Sequence, residues 1–204
     1  MSKFDPNISR TTTAMLSALH DADDVAAWEA FDARYRPILH GFARHLGFSD
    51  ADAGDLAQEV VVRFVQRYRE GRYDRGRGRL GAWLIGIARN AALDLHRRRR
   101  RTSVSLDELA ERVAADQDLD QAWTRCRQER ILGLAMERVR DEGRTDPRTF
   151  EAFQLVAIRG VAPQMVSETL GISIESVYAA RSRVARRLQA AVEEIGLEFD
   201  EEPA

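Results

Sequence analysis

The stretch from position 80 to 101, LGAWLIGIARNAALDLHRRRRR, constrains this chain most, because it joins an apolar helix face to a dense run of cations. Leu80, Trp83, Leu84, Ile87, Ala88, Ala91 and Leu95 recur at the i, i+3, i+4, i+7 spacing of an amphipathic helix, so one side packs inward. Arg89, Asn90, Asp94 and Arg97 fall largely off that stripe. The helix then runs out into Arg97, Arg98, Arg99, Arg100 and Arg101, guanidiniums that repel one another unless an anion lies across them. Phosphate is the natural partner. Two blander readings compete: a solvated helix end that complements the C-terminal macrodipole, and a patch facing acidic lipid. The company of the run favours nucleic acid. Positions 63 to 101 hold thirteen arginines against Glu70, Asp74 and Asp94, an excess hidden by the whole-chain charge of −2.

At 204 residues the chain accommodates two small domains, each with a modest core. The single cysteine, Cys126, excludes an internal disulfide framework, and with four scattered histidines it offers no metal-ligand spacing. No metal or other cofactor is expected. No apolar run approaches the roughly 18 residues of a membrane span, and the polar start MSKFDPNISR lacks signal-peptide architecture, so the expected location is the cytoplasm. Among the 31 basic residues Lys3 is the one lysine. Arginine's planar fork suits bidentate phosphate and base contacts, although a GC-rich genome would produce the same bias.

Taken in order, positions 9 to 47 read as helix, with Met15, Leu16 and Leu19 in a short first element. Val25, Trp28, Phe31, Tyr35, Ile38, Leu39, Phe42 and Leu46 stripe a second, which Asp23 or Asp24 caps and Gly47 ends. Pro37 predicts a kink or local break near Arg36. Ser49 with Asp52 forms a capping-box pattern ahead of a helix buried along Leu56, Val60, Phe64 and Tyr68 and flanked by Ala57, Val61 and Val65. Asp52, Asp55, Gln58 and Glu59 line its first turns on the other face. With no histidine or nucleophile beside them, they read as a partner-binding face rather than a catalytic site. EGRYDRGRGR, from 70 to 79, alternates glycine with arginine and must be a loop. Alone it could track phosphate, bind RNA or merely connect; beside a basic helix that carries an aromatic, it reads as nucleic-acid binding.

After Arg101 the composition turns acidic: Asp107, Glu108, Glu111, Asp116, Asp118 and Asp120 stand against Arg112. This is the expected linker, extended apart from a short helix that Ser105 and Glu108 could cap through Val113. Helical periodicity resumes with Trp123, Ile131, Leu134 and Val139; Asp146 and Pro147 then supply an N-cap and an N1 proline for Phe150, Phe153, Val156 and Ala157. A short helix from Pro163 through Met165, Val166 and Leu170, a turn at Gly171 and a long helix from Ser173 to about Val192 form a helix-turn-helix pattern. Its last helix buries Val177, Ala180, Val184 and Leu188. Glu175, Tyr178, Ala179, Ser182, Arg183 and Arg186 then face outward as groove readers, with Arg181 at the apolar edge. The acidic tail from Glu193 reads as a solubilising end.

With both halves in view, the sequence resembles the extracytoplasmic-function group of bacterial RNA polymerase sigma factors, from about Thr11 to Leu188. DAGDLAQEVVVRF at 52 to 64 looks like the family's acidic helix that docks on the clamp helices of the polymerase largest subunit. GAWLIGIARNAALDLHRRRRR looks like its promoter-melting and minus-10 segment, and LGISIESVYAARSRVARRL at 170 to 188 like its minus-35 helix. The resemblance implies core-polymerase docking through Asp55, Gln58 and Glu59. It implies melting by Trp83, base capture at Asn90 and a base pocket shaped by the loop at 70 to 80; Arg89 and Arg97 complete the expected minus-10 set. Glu175, Tyr178, Ser182, Arg183 and Arg186 are the expected minus-35 set. Leu84 stands where primary sigma factors place a second tryptophan, which implies weaker melting and greater dependence on a well-matched promoter. Ser167 replaces the usual alanine before the turn, and Ala180-Arg181 replaces the common Arg-Leu pair, so no base-reading arginine is carried over to position 180.

The expected fold is all-α: a region 2-like bundle at 9–101, an acidic linker at 102–120, a region 4-like helix-turn-helix domain at 121–192 and an acidic tail at 193–204. The expected partners are bacterial core RNA polymerase and promoter DNA. The resemblance leaves room for an anti-sigma factor, and neither a membrane nor a small-molecule substrate is expected. A helix-turn-helix regulator that acts without polymerase is the rival reading, ahead of an RNA-binding protein and then an enzyme. The acidic helix at 52 to 64, just before the melting-type helix, separates them, since a plain repressor needs neither.

Overall fold

The computed structural model describes residues 12–21, 24–74, 76, 78–98, 105–114, 116–142 and 145–199. Every regular element among them is helical: α1 (Thr12–Ala18), α2 (Val25–His45), α3 (Asp50–Arg69), α4 (Leu80–Arg98), α5 (Leu106–Ala114), α6 (Asp116–Asp141), α7 (Pro147–Phe153), a π-helical turn (Gln154–Ile158), α8 (Pro163–Leu170) and α9 (Ile174–Phe199). The described residues divide into two compact units, one of those from Thr12 to Arg130 with Glu198 and Phe199, the other of those within Ile131–Leu197. Arg75, Arg77, Arg99, Arg100 and Arg101, counted above in the basic run, lie outside the described residues, as do Asp23 and the tail beyond Phe199.

In the first unit the expected stripes are inside. Phe31, Ile38, Leu39 and Phe42 of α2 meet Leu56, Val60 and Phe64 of α3 and Leu80, Leu84 and Ile87 of α4, all essentially inaccessible. Phe31 and Phe64 stack with centroids 4.1 Å apart, and Phe64 continues edge-on to Trp83 at 5.3 Å. Val25 departs from its expected stripe: as the first residue of α2 it stands 65% exposed. Both caps form as their side-chain chemistry requires. Asp24 accepts from the Ala27 N–H at 2.9 Å, and Ser49 accepts from the Asp52 N–H at 3.2 Å while donating its hydroxyl to the Asp52 carboxylate at 2.7 Å. That bond turns Asp52 inward, so it is buried rather than part of an exposed acidic face.

Pro37 does not break α2, which runs unbroken from Val25 to His45. Proline has no N–H to give the carbonyl four residues back. Arg130 of α6 supplies the missing donor, its Nη2 lying 3.1 Å from the Ala33 oxygen.

The acidic stretch is helical where extended chain was expected. Ser105 and Glu108 close a reciprocal capping box, each accepting at 3.2 Å from the other's N–H. Leu109 and Val113 of α5 are buried, and Arg112 donates to the Leu46 carbonyl at 3.0 Å. Leu119, Ala122 and Trp123 bury the first turns of α6. Trp123 lies so close to α4 that a Cβ at Gly81 would sit 2.8 Å from its Nε1. Few apolar residues suffice because each finds a preformed wall to pack against.

The second unit is thinner. Asp146 caps α7 by accepting from the Arg148 and Thr149 N–H groups, with Pro147 in the first turn. The helix widens into the π turn, where Arg159 N–H bonds the Gln154 carbonyl at 3.0 Å. Ala152, Val166, Val177 and Ala180 form the core, covered by Leu155, Val156, Val161, Leu170 and Ile172. Gly171 adopts the left-handed conformation (φ 62°, ψ 37°) that ends α8, a cost L side chains avoid. Ser167 braces the turn by donating to the Ile172 carbonyl at 2.6 Å, so the residue that departs from the family alanine has a local task. Ser173 then caps α9 by accepting from the Ser176 N–H. α9 runs past the expected end near Val192 to Phe199, because Ala191, Ile195 and Phe199 continue the buried four-residue spacing.

Candidate nucleic-acid interface

Trp83, Asn90 and Arg97 are spaced by seven residues, so α4 sets an aromatic ring, an amide and a cation in one line, about 10 Å between successive members. Their exposure rises along the line: Trp83 is half-buried, and Asn90 and Arg97 are exposed. The Asn90 amide donates back to the Gly86 carbonyl at 2.9 Å. Arg97 lies 3.8 Å from Asp94. Arg89, on the flank of the line, pairs at 3.0 Å with Asp116 from the start of α6.

The loop between α3 and α4 closes over Trp83. Tyr73 lies against the indole with centroids 5.0 Å apart, and Gly71 (φ 69°) supplies the left-handed turn that brings the chain round. Two adjoining hollows result. One, of about 610 Å³, is lined by Arg67, Gly71, Arg72, Asp74 and Trp83; the other, of about 380 Å³, by Arg72, Tyr73, Asp74, Gly78, Arg79, Ala82 and Trp83. An aromatic wall, cationic forks and one carboxylate acceptor can stack a base, neutralise its phosphates and hydrogen-bond its edge. Arg67, Arg72, Tyr73 and Asp74 were not singled out from sequence as site residues. The loop at 70 to 80 was expected to shape a base pocket, and Arg72, Tyr73 and Asp74 belong to it; Arg67, at the end of α3, lies outside it.

The first turns of α3 carry the expected docking residues. Asp55 and Gln58 are exposed and Glu59 is half-exposed, one turn apart along α3. Gln58 accepts from Arg36, whose guanidinium also pairs with Asp32 at 2.6 Å. Glu59 accepts from Arg63 at 2.8 Å, and Arg63 reaches Asp94 at 2.9 Å.

In the second unit Val177, Ala180 and Val184 point inward from α9, and Glu175, Tyr178, Ser182, Arg183 and Arg186 are exposed, as expected; Tyr178 is 50% exposed. Arg181 is exposed as well, clear of the core. Glu175 sits in the first turn, and its own backbone N–H and the Ser173 hydroxyl hold its carboxyl below the usual range. Arg187 anchors the helix instead of reading: it donates to Thr145 and pairs with Glu142 at 2.7 Å.

A bundle with a cationic, aromatic-walled cleft, followed by a helix-turn-helix, defines a class, and residues 31–102 match the family described as Sigma-70 region 2. The first unit is thus similar to a region 2 of the sigma-70 family, and along most of its length the chain resembles the extracytoplasmic-function group. It is 29% identical over 190 residues to the ECF RNA polymerase sigma factor SigE of Mycolicibacterium smegmatis, covering 91% of this chain and 68% of that protein. A solved structure of CnrH in complex with the cytosolic domain of CnrY aligns with 88% of this chain and 96% of that one, at 22% identity and a TM-score of 0.36. No helix among the described residues is long and apolar enough to cross a membrane.

Proposed function

We propose that this protein is a promoter-specificity factor that binds core RNA polymerase and directs transcription initiation, with no bond chemistry of its own. In this reading the exposed Asp55, Gln58 and Glu59 dock on the polymerase. Trp83, Arg89, Asn90 and Arg97, with the loop over Trp83, capture unpaired minus-10 DNA; Glu175, Tyr178, Ser182, Arg183 and Arg186 read the minus-35 duplex. Residues 9–101 form the docking and melting domain, 102–120 the connection and 121–192 the minus-35 domain. The observation that carries the reading is the Trp83 cleft, built on a sigma-70 region 2 and continued by Asn90 and Arg97 along one line. A duplex-binding repressor has no use for a concave aromatic site, whereas an extruded base needs one.

Run-off transcription tests it. Purified bacterial core polymerase with this chain should initiate at discrete sites in genomic DNA, and the free chain should bind duplex weakly, since docking is what makes the second DNA contact intramolecular. Tight sequence-specific duplex binding by the free protein, without initiation when competent core is added, would give the repressor reading preference.

A further inference from the structure

One guanidinium joins the docking face to the DNA-facing line. Arg63 leaves α3 one turn after Glu59 and forks: its Nε donates to Glu59 Oε1 at 2.8 Å, and its Nη1 to Asp94 Oδ2 on α4 at 2.9 Å. The other oxygen of Asp94 is 3.8 Å from the Arg97 guanidinium. The chain of charge Glu59–Arg63–Asp94–Arg97 thus begins on the surface read as polymerase-docking and ends on the cation read as phosphate-binding. Arg63 is 17% exposed, against 41% for Glu59, 39% for Asp94 and 68% for Arg97, so its middle is the part least screened by water. Burial alone would lower the pKa of Arg63, but the hydrogen bonds to Asp94 and Glu59 outweigh it and hold the guanidinium above its ordinary value.

Resting on the sigma-factor reading above, we propose that Arg63 is a positioning residue that couples docking at Glu59 to release of Arg97 for phosphate. A cationic group of the polymerase that takes Glu59 leaves Arg63 with Asp94 as its one carboxylate. Asp94 is then more fully neutralised by Arg63, and its contact to Arg97, the longest of the three, gives way. Arg97 is left to the strand lying along Trp83 and Asn90. Linkage makes the effect reciprocal: a phosphate that holds Arg97 strengthens docking by the same factor.

The test uses the full chain without polymerase, titrated with a fluorescein-labelled single-stranded DNA of mixed sequence, roughly 12 nucleotides long. Glu59→Gln imitates the occupied docking face, and Asp50→Asn, on the same helix, removes the same charge without touching Arg63. Glu59→Gln should tighten DNA binding roughly 2- to 5-fold more than Asp50→Asn, and in an Asp94→Asn background this difference should vanish. Arg63→Lys keeps the charge but loses the fork. With core polymerase added, the same DNA should tighten docking of the wild type more than docking of Arg63→Lys, a difference that a merely structural role would not produce. Equal gains from Glu59→Gln and Asp50→Asn, with native far-UV circular dichroism in both, would overturn the relay and leave the sigma reading standing. Failure of the wild type to bind core at all would overturn that reading and the relay with it.

Discussion

On the function proposed above, the two units face opposite recognition problems, and their cores differ. The first is built on rings: Phe31, Phe42, Phe48 and Phe64 are fully buried, and the aromatic contacts run outward through Phe64 to Trp83 and on to Tyr73 at the cleft. The second centres on the small side chains Ala152, Val166, Val177 and Ala180, and the rings it buries are Phe150 and Phe153, neither of them fully inaccessible. A pocket for an extruded base must be concave and stiff, and rings continuous with a dense core hold its wall in place. A groove-reading helix must be straight and prominent. Val166 of α8 and Val177 and Ala180 of α9 make the contact between these two helices with small side chains, while Tyr178, Arg183 and Arg186 stay exposed.

The largest effect expected from this contrast is on stability. Phe64→Ala should cost the first unit about 3 to 5 kcal/mol, because it opens a cavity among stacked rings. Val177→Ala should cost the second about 1.5 kcal/mol, at about 0.8 kcal/mol per methylene-sized group. Denaturant unfolding of each variant measures both, and comparable losses at the two sites would break the comparison of cores.

A smaller effect separates the DNA forms. Replacing Trp83 and Asn90 by alanine should weaken single-stranded binding by about 1 to 3 kcal/mol for a lost stacked base and leave duplex binding nearly unchanged. Arg183→Ala and Arg186→Ala should do the reverse, each lowering the slope of log affinity against log salt for duplex DNA by about 0.9 if it contacts a phosphate. Fluorescence anisotropy with matched single-stranded and duplex probes gives both numbers. If either pair weakened the two forms equally, the division of labour would not hold.

The smallest expected effect is on pH dependence. All four histidines, His20, His40, His45 and His96, lie in the first unit. Burial, then the nearby Arg125 and Arg112, lowers the pKa of His45. The unfolded chain therefore takes up this proton first, so the contribution of His45 to stability is present above the ordinary imidazole pKa and is lost as pH falls from there through the lowered folded value. The denaturant midpoint should drop modestly between about pH 7 and about pH 5, and His45→Gln should flatten that drop. A wild-type midpoint no steeper in pH than that of His45→Gln would show that the histidine plays no part.

Much of this molecule is written in stretches short enough to read directly. The all-α class, the inward stripes of α2, α3, α4 and α9, and the caps at Ser49, Ser105, Asp146 and Ser173 depend on residues three or four positions apart. So does the turn at Gly171, which is why periodicity and side-chain chemistry sufficed to place it. The outward position of Arg183 and Arg186 followed from the same spacing. What surrounds those faces did not follow. That Arg130 takes the carbonyl freed by Pro37 and that the acidic stretch after 105 packs as helix were settled when distant segments met. The same holds for Tyr73 closing over Trp83 and for Arg63 forking from Glu59 to Asp94, 31 positions further along the chain. Periodicity tells which side of a helix avoids water, but every apolar stripe reads alike. Which wall it meets, and which polar group lies across the gap, is decided by packing between residues remote in sequence.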